Sequence, residues 1–251
     1  MKTENKIPLI KIENVSKKFP NGKESLSNIN FEIFKNDFIL IAGSNGSGKT
    51  VLMNIIANLE KTSSGKIINN SKEFNIDEHI GIIFQDADSQ ILGETPFEDV
   101  AFGVRNLGLR KEKLAERVND ALTKSGLIEK KYAPARFLSG GEKRRLAVAG
   151  VLALDCNVII FDEPFANLDW CGVKQVCSIL EYLQLEGKTV IVLTHELEKV
   201  LALANRFVVL DNGAIRFDGT PEVGLSKDLS QWGLRNPLIT YSSIKDLVWR
   251  E

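Results

Sequence analysis

The segment Gly43-Ser-Asn-Gly-Ser-Gly-Lys-Thr50 combines the residue types a phosphate chain needs, in the spacing G-x-x-x-x-G-K-[ST]. Gly43, Gly46 and Gly48 let the backbone curl so that its N–H groups, with those of Ser44, Asn45 and Ser47, point at one anion. The apolar run Phe38–Ala42 precedes it, and Val51, Leu52, Ile55, Ile56 and Leu59 follow at helical spacing. A helix start there adds its partial positive charge. Lys49 is then expected to reach the β- and γ-phosphates of a nucleotide, and the Thr50 hydroxyl to ligate Mg²⁺. The alternative, a glycine-rich turn with an incidental lysine, explains neither the strand before nor the helix after.

A second set of candidates lies in Val158-Ile-Ile-Phe-Asp-Glu-Pro164. An aspartate at the C-terminal end of a buried parallel strand sits where ligands bind in open α/β sheets. Asp162 is thus the expected Mg²⁺ partner, and Glu163 is placed to orient or deprotonate a water attacking the γ-phosphate. An apolar run ending in two acids can also be a strand entering solvent; the phosphate cradle upstream is what favours the site.

The elements that must hold these groups follow from periodicity. Ile10 and Ile12, then Ile29, Phe31 and Ile33, alternate across a turn at Asn21-Gly22, as strands with one buried face do. Phe38–Ala42, Gly81–Phe84, Val158–Phe161 and Val190–Leu193 are short continuous apolar runs, the pattern of strands covered on both faces. Phe207–Leu210 leads through Asp211-Asn-Gly213 to Ile215 and Phe217, a hairpin signal. Helical spacing marks Leu114, Val118, Ala121 and Leu122 before Gly126; Val173, Val176, Leu180 and Leu183 before Gly187; and Leu197, Val200, Leu201 and Ala204. Strands alternating with helices predict an α/β fold with a largely parallel sheet, interrupted by a helical insert over residues 89–150.

Composition narrows the possibilities. In 251 residues of formal net charge -1 there is no global basic field to hold nucleic acid. Cys156, Cys171 and Cys177 are too few and too irregularly spaced for a disulfide framework or a zinc site, so reduced thiols are expected. The first residues lack a signal-peptide core. The longest apolar run, Leu146–Leu154, is half the length of a membrane-spanning helix. Any membrane this chain serves is expected to be crossed by other chains.

Leu138-Ser-Gly-Gly-Glu142, followed at once by a predicted helix Lys143–Leu154, can be an ordinary N-capped helix start or a second anion cradle. The pentapeptide resembles the signature motif of ABC ATPases, and it stands the family's distance ahead of the Asp162-Glu163 strand. The resemblance implies an ABC-type P-loop NTPase over residues 1–230, with an N-terminal antiparallel β-subdomain and a short tail over 231–251. It implies ATP and Mg²⁺ as cofactors. It also implies that Ser139, Gly140, Gly141 and Glu142 of one subunit grip the nucleotide held by another. By the same resemblance Gln85 touches Mg²⁺ and the water, and Asn167, Leu168 and Asp169 form the loop that crosses the subunit interface. His195 contacts the γ-phosphate, and Phe19 falls where the family stacks a ring on adenine, a buried strand-end Phe being the other reading.

Gln85-Asp-Ala-Asp-Ser-Gln90, the stretch Glu98-Asp-Val-Ala-Phe-Gly103 and the late Trp232-Gly-Leu-Arg-Asn-Pro237 resemble the energy-coupling-factor and cobalt-importer branch. That branch implies a peripheral ATPase on the cytoplasmic side of the cell membrane, paired with a second copy or a paralogue. Its other partners would be a multi-span coupling protein and a substrate-binding membrane protein, for a vitamin or a transition-metal ion. A soluble ABC ATPase acting on ribosomes or DNA is the alternative; such relatives carry two ATPase domains or a long coiled coil, and this sequence has neither. Ile91, Leu92, Phe97, Val100 and Phe102, interleaved with Glu94, Glu98 and Asp99, are expected either to pack inside the insert or in part to floor a groove for a membrane-protein helix.

Overall fold

The computed structural model describes residues 7–69 and 80–239. Its centre is a six-stranded sheet of β3 (Phe38–Ala42), β5 (Ile80–Ile83), β6 (Val158–Asp162), β7 (Thr189–Leu193), β8 (Arg206–Asp211) and β9 (Ala214–Gly219), in the order β5-β6-β7-β3-β8-β9. All neighbours are parallel except the β8–β9 hairpin. A separate three-stranded antiparallel sheet, β2-β1-β4, is made of β1 (Ile10–Lys18), β2 (Glu24–Ile33) and β4 (Ser64–Asn69). The described part of the tail continues from the body, with Leu229 and Leu234 in the core; residues 240–251 lie outside the described ones.

Why the central runs are continuously apolar is visible in their alternation. Phe38, Leu40, Ala42, Ile159 and Phe161 point into a core beneath the sheet. Ile39, Ile41, Val158 and Ile160 point into a second core, shared with the antiparallel sheet and helix α1 (Lys49–Ile56). A strand buried on both faces has no polar phase to show. The insert has its own core, where α2 (Pro96–Arg105), α3 (Lys111–Lys124) and α4 (Gly140–Leu154) bury Val100, Val104, Val118, Leu122 and Leu146. Helix α4 belongs to both bodies: it starts in the insert and returns under the sheet, opposite α5 (Trp170–Leu185). It ends at Asp155, whose left-handed conformation closes the last turn.

One predicted helix does not form. Leu197–Lys199 and Leu201–Leu203 are two 3₁₀ turns, broken at Val200, whose φ of -142° is not helical. Leu197, Val200 and Leu201 are buried and Ala204 partly so, as their spacing demands. Two carbonyls of the segment are bonded by α5, Lys199 O by the Cys177 thiol and Leu203 O, in its last turn, by Gln184 Nε2. A short helix lives on tertiary packing, and here tertiary partners take two of its acceptors. Residue 79, the second histidine, lies outside the described residues.

Gly81 lets α4 sit against the sheet. A Cβ there would come within 2.3 Å of Val151 Cγ1 and 3.2 Å of Cys156 Sγ. Gly81→Ala is expected to lower stability by about 1–3 kcal/mol, as overpacking does. Adding Val151→Ala should recover part of that loss, and urea melts of the single and double variants measure both.

Candidate nucleotide site at the strand ends

The parallel order puts three strand ends side by side. In the ladders Asp162 is level with Leu193 and Ile41 is level with the same residue, so β6, β7 and β3 end together. The chain leaves these ends as Glu163, as Thr194-His195 and as the Gly43–Thr50 loop. One strand further out, β5 delivers Gln85. This is the edge where open α/β sheets bind ligands.

The loop is packed from behind. A Cβ on Gly43 would stand 2.2 Å from the Leu210 carbonyl oxygen and 2.6 Å from Ser47 Oγ, so only glycine fits. Lys49 turns back over the loop: its Nζ donates to Gly43 O at 2.8 Å and to Ser44 O at 3.2 Å, and lies 3.7 Å from Glu163 Oε1. Burial pulls the Lys49 pKa down, against the pull of Glu163 and Asp162. The Ser47 hydroxyl is buried without a hydrogen-bond partner. A site whose ammonium is parked on carbonyls and whose hydroxyl is unpaired has donors to spare for an anion.

Thr50 Oγ1 donates to Asp162 Oδ2 at 3.0 Å, bringing the two predicted metal ligands into contact. Burial raises the Asp162 pKa, the Thr50 bond opposing it. Among the described residues no three His, Cys, Asp or Glu side chains are grouped to hold a metal. A hydroxyl beside one carboxylate fits Mg²⁺ well, since that ion takes one or two protein oxygens and completes its shell with substrate phosphates and water.

Glu163 is held at every atom that matters. Its Oε2 accepts from Thr194 Oγ1 at 2.8 Å, its Oε1 lies 3.1 Å from His195 Nδ1, and its N donates to Leu193 O. Its φ is 45°, a conformation that costs a non-glycine residue about 1–3 kcal/mol. Its own carbonyl accepts from Ala166 N and from Arg144 Nη1, while Arg144 Nη2 donates to Gln85 O. Neither Thr194 nor Arg144 was a sequence candidate. Thr194 stands beside His195 just past β7, a weak hint; nothing in the spacing of Lys143-Arg144-Arg145 tells which one turns inward.

The other predicted residues divide. Asn45, Gln85, Glu163, Asn167 and His195 line one cleft. Leu168 lines it too, and Asp169 caps α5, accepting from Gly172 N at 2.7 Å. Phe19, just past β1, is partly buried with Lys17 Nζ 5.0 Å from its ring centre, so it is neither core nor fully open. Ser139 caps α4 and forms a capping box with Glu142, with Gly140 and Gly141 as the first two helical residues. A Cβ on either glycine would meet nothing within 4 Å.

The Ile91–Phe102 segment is split. Val100 is core and Ile91 and Phe97 are partly buried, so the five apolar groups do not all share one fate. Leu92 is 70% exposed and Phe102 55%. Asp99 is no rim acid: its Oδ1 accepts from Leu92 N at 2.7 Å and Gly93 N at 2.9 Å, and burial raises its pKa. It fixes the turn that presents Leu92.

Comparison with known proteins gives the family. A family model described as ABC transporter matches residues 26–166. The energy-coupling factor transporter ATP-binding protein EcfA of Methanosarcina acetivorans is 39% identical over 249 residues, 96% of this chain and 89% of that protein. The protein of the same name from Carboxydothermus hydrogenoformans is 37% identical over 237 residues, 92% and 88% of the two chains. The structure of cbiO1 from Clostridium perfringens, described as part of the ABC transporter complex cbiONQ, superposes with a TM-score of 0.80 at 33% identity, covering 89% of this chain and 93% of that one. The ATP-binding cassette MJ0796, solved as a dimer bound to ADP and Pi, gives a TM-score of 0.74 at 26% identity, covering 84% and 98%.

Thr194→Val keeps the side-chain shape and removes the donor to Glu163 Oε2. We expect a loss of about 1–2 kcal/mol in urea unfolding, the penalty of a buried carboxylate oxygen left unpaired. A Thr194→Ser variant should retain most of the stability, which separates the hydroxyl from the packing.

Proposed function

The chain belongs to the ABC transporter ATP-binding family, and on that premise we propose that it is the ATP-hydrolysing, energy-coupling subunit of a membrane importer for a vitamin or a transition-metal ion. The observation that carries the reading is the convergence on one cleft of the glycine loop with Lys49, the Thr50–Asp162 pair, and Glu163 gripped by Thr194 and His195. Those are the parts that in-line attack of water on a γ-phosphate requires.

The loop amides and Lys49 bind the β- and γ-phosphates, Lys49 leaving its carbonyl perch for the stronger charge-assisted contact. Thr50 and Asp162 would hold Mg²⁺, with Gln85 a further oxygen. When bound, that ion neutralises charge on the phosphates. Glu163 orients the attacking water and takes its proton, and Gln85 helps to position it. His195, anchored on Glu163, faces the γ-phosphate. Phe19 offers the open part of its partly buried ring to adenine. Two subunits close face to face, each giving Ser139, Gly140, Gly141 and Glu142 to the other's nucleotide, with Asn167, Leu168 and Asp169 along the seam. A dimeric arrangement of the related MJ0796 cassette supports such pairing. Whether the pair is two copies or two paralogues, closure on ATP and opening after hydrolysis drive the membrane proteins.

We place the pair on the cytoplasmic side of the cell membrane, bound to a multi-span coupling protein and a substrate-binding membrane protein. Among the described residues no helix is long and apolar enough to cross a membrane, so the anchorage falls to those partners. Exposed Leu92 and Phe102, with Glu98 beside them, form the surface for a short amphipathic helix of the coupling protein. The near-neutral net charge of -1 speaks against nucleic acid as a partner.

The test is Glu163→Gln with MgATP. We expect ATP to remain bound, turnover to fall roughly 10²-fold or more, and a dimer to accumulate on gel filtration. A variant that hydrolyses at the parent rate would end the reading. Leu92→Ser with Glu98→Lys should release the membrane partner in a detergent pull-down while ATP binding by the isolated subunit is spared. Collapse of ATP binding in that variant would instead assign these residues to the core.

A further inference from the structure

Among the described residues only four charged side chains are buried: Lys49, Asp162, Glu163 and Arg144. The first three belong to the nucleotide site described above, with Lys49 Nζ 3.7 Å from Glu163 Oε1 and Asp162 bonded to Thr50. The fourth sits with them but has no part in the reading above.

Arg144 is 6% exposed and forms no ion pair with a carboxylate among the described residues. Burial pulls its pKa down with nothing opposing. An unpaired buried guanidinium is among the more expensive things a fold can hold, and an apolar side chain of similar volume would fill the slot at less cost. The charge is spent on two main-chain oxygens, Glu163 O at 3.0 Å and Gln85 O at 2.7 Å. These belong to different strand ends, β6 and β5, and both residues line the cleft. Glu163 is also the residue whose φ of 45° must be held against its ordinary preference, with Pro164 after it narrowing the alternatives.

We propose that Arg144 is a positioning residue for hydrolysis, fixing the Glu163 and Gln85 segments to each other and to α4 one turn past its start. The planar fork suits this, since two donors on one rigid group can span two carbonyls at a set separation. Because α4 begins with the Ser139 loop, the same bonds fix where that loop is presented. The inference rests on the reading of Glu163 and Gln85 as hydrolytic residues, and its test has one arm that does not.

Three variants decide it. Arg144→Met keeps the apolar stem and removes both donors. Arg144→Lys leaves one point donor, which reaches one carbonyl at a time. Lys143→Met is the comparison, removing an exposed 2.7 Å ion pair from the same turn to Asp88 in the same loop. In steady-state assays we expect kcat of Arg144→Met to fall about 10²-fold, the effect of a small misplacement, with half-saturating ATP nearly unchanged. Arg144→Lys should be intermediate and Lys143→Met close to the parent. Independently of ATP, hydrogen exchange should quicken in peptides covering Gln85 and Glu163–Asn167 in Arg144→Met and not in Lys143→Met. Parent-like kcat and parent-like exchange in Arg144→Met overturn the proposal. So does a kcat that falls only in step with the melting temperature across the variants. If Arg144→Met does not fold, Arg144→Lys is judged by the same two readouts. A parent that shows no turnover removable by Glu163→Gln sinks the ATPase reading, and the exchange arm still decides the positioning role.

Discussion

Lys49 Nζ and Glu163 Oε1 lie 3.7 Å apart with both side chains almost out of water, and Asp162 is buried next to them. Taking such ions out of water costs several kcal/mol each, which attraction alone rarely returns. The structure meets that cost by giving nearly every polar atom a partner: carbonyls for Lys49, a hydroxyl for Asp162, a hydroxyl and an imidazole for Glu163, and carbonyls for Arg144. The exception is the Ser47 hydroxyl. An arrangement this expensive and this complete, with its one gap inside the glycine loop, is built for a ligand rather than for stability.

The sheet is what makes the arrangement possible. Strands in parallel register end at one level, so chain departures from β3, β6 and β7 carry their polar groups to one place without long side chains. The alternation of the apolar runs then seals the site from beneath, with Phe161 and Leu40 on one side and Ile160 and Ile41 on the other. Asp162 itself is the last residue of its strand, so one more strand residue would move the carboxylate out of the dry rim.

Much of this was legible in the residues alone. Continuous apolar runs betrayed the doubly covered strands, and the Gly43–Thr50 spacing betrayed the loop, because both are local properties of the chain. Tertiary decisions were not legible. Leu197–Ala204 has helical spacing, yet α5 side chains bond two of its carbonyls and it settles as two 3₁₀ turns. Asp99 reads as a surface acid and instead ties down the Leu92 turn. Gln90 returns to the end of β5, its amide donating to Ile82 O and accepting from Phe84 N, a bracket no periodicity announces. Arg144 and Arg145 are neighbours of one type, and only the contact of α4 with the strand ends distinguishes them.

The start of α4 carries a further argument for a site completed from outside. Gly140 and Gly141 are its first two helical residues, and neither has a positive φ. A Cβ on either would meet nothing within 4 Å. Within one chain, then, neither backbone conformation nor space requires glycine, although glycine in a helix costs roughly 0.5–1 kcal/mol against alanine. One turn further along the same face, Arg144 is locked to the strand ends, so the bare first turn is held rigidly rather than left loose. The capping box of Ser139 and Glu142 engages the amides of those two residues, and the two glycines between them carry no side chain that would keep an anion from the helix start. The paired arrangement proposed above gives those glycines a use that contacts within one chain do not.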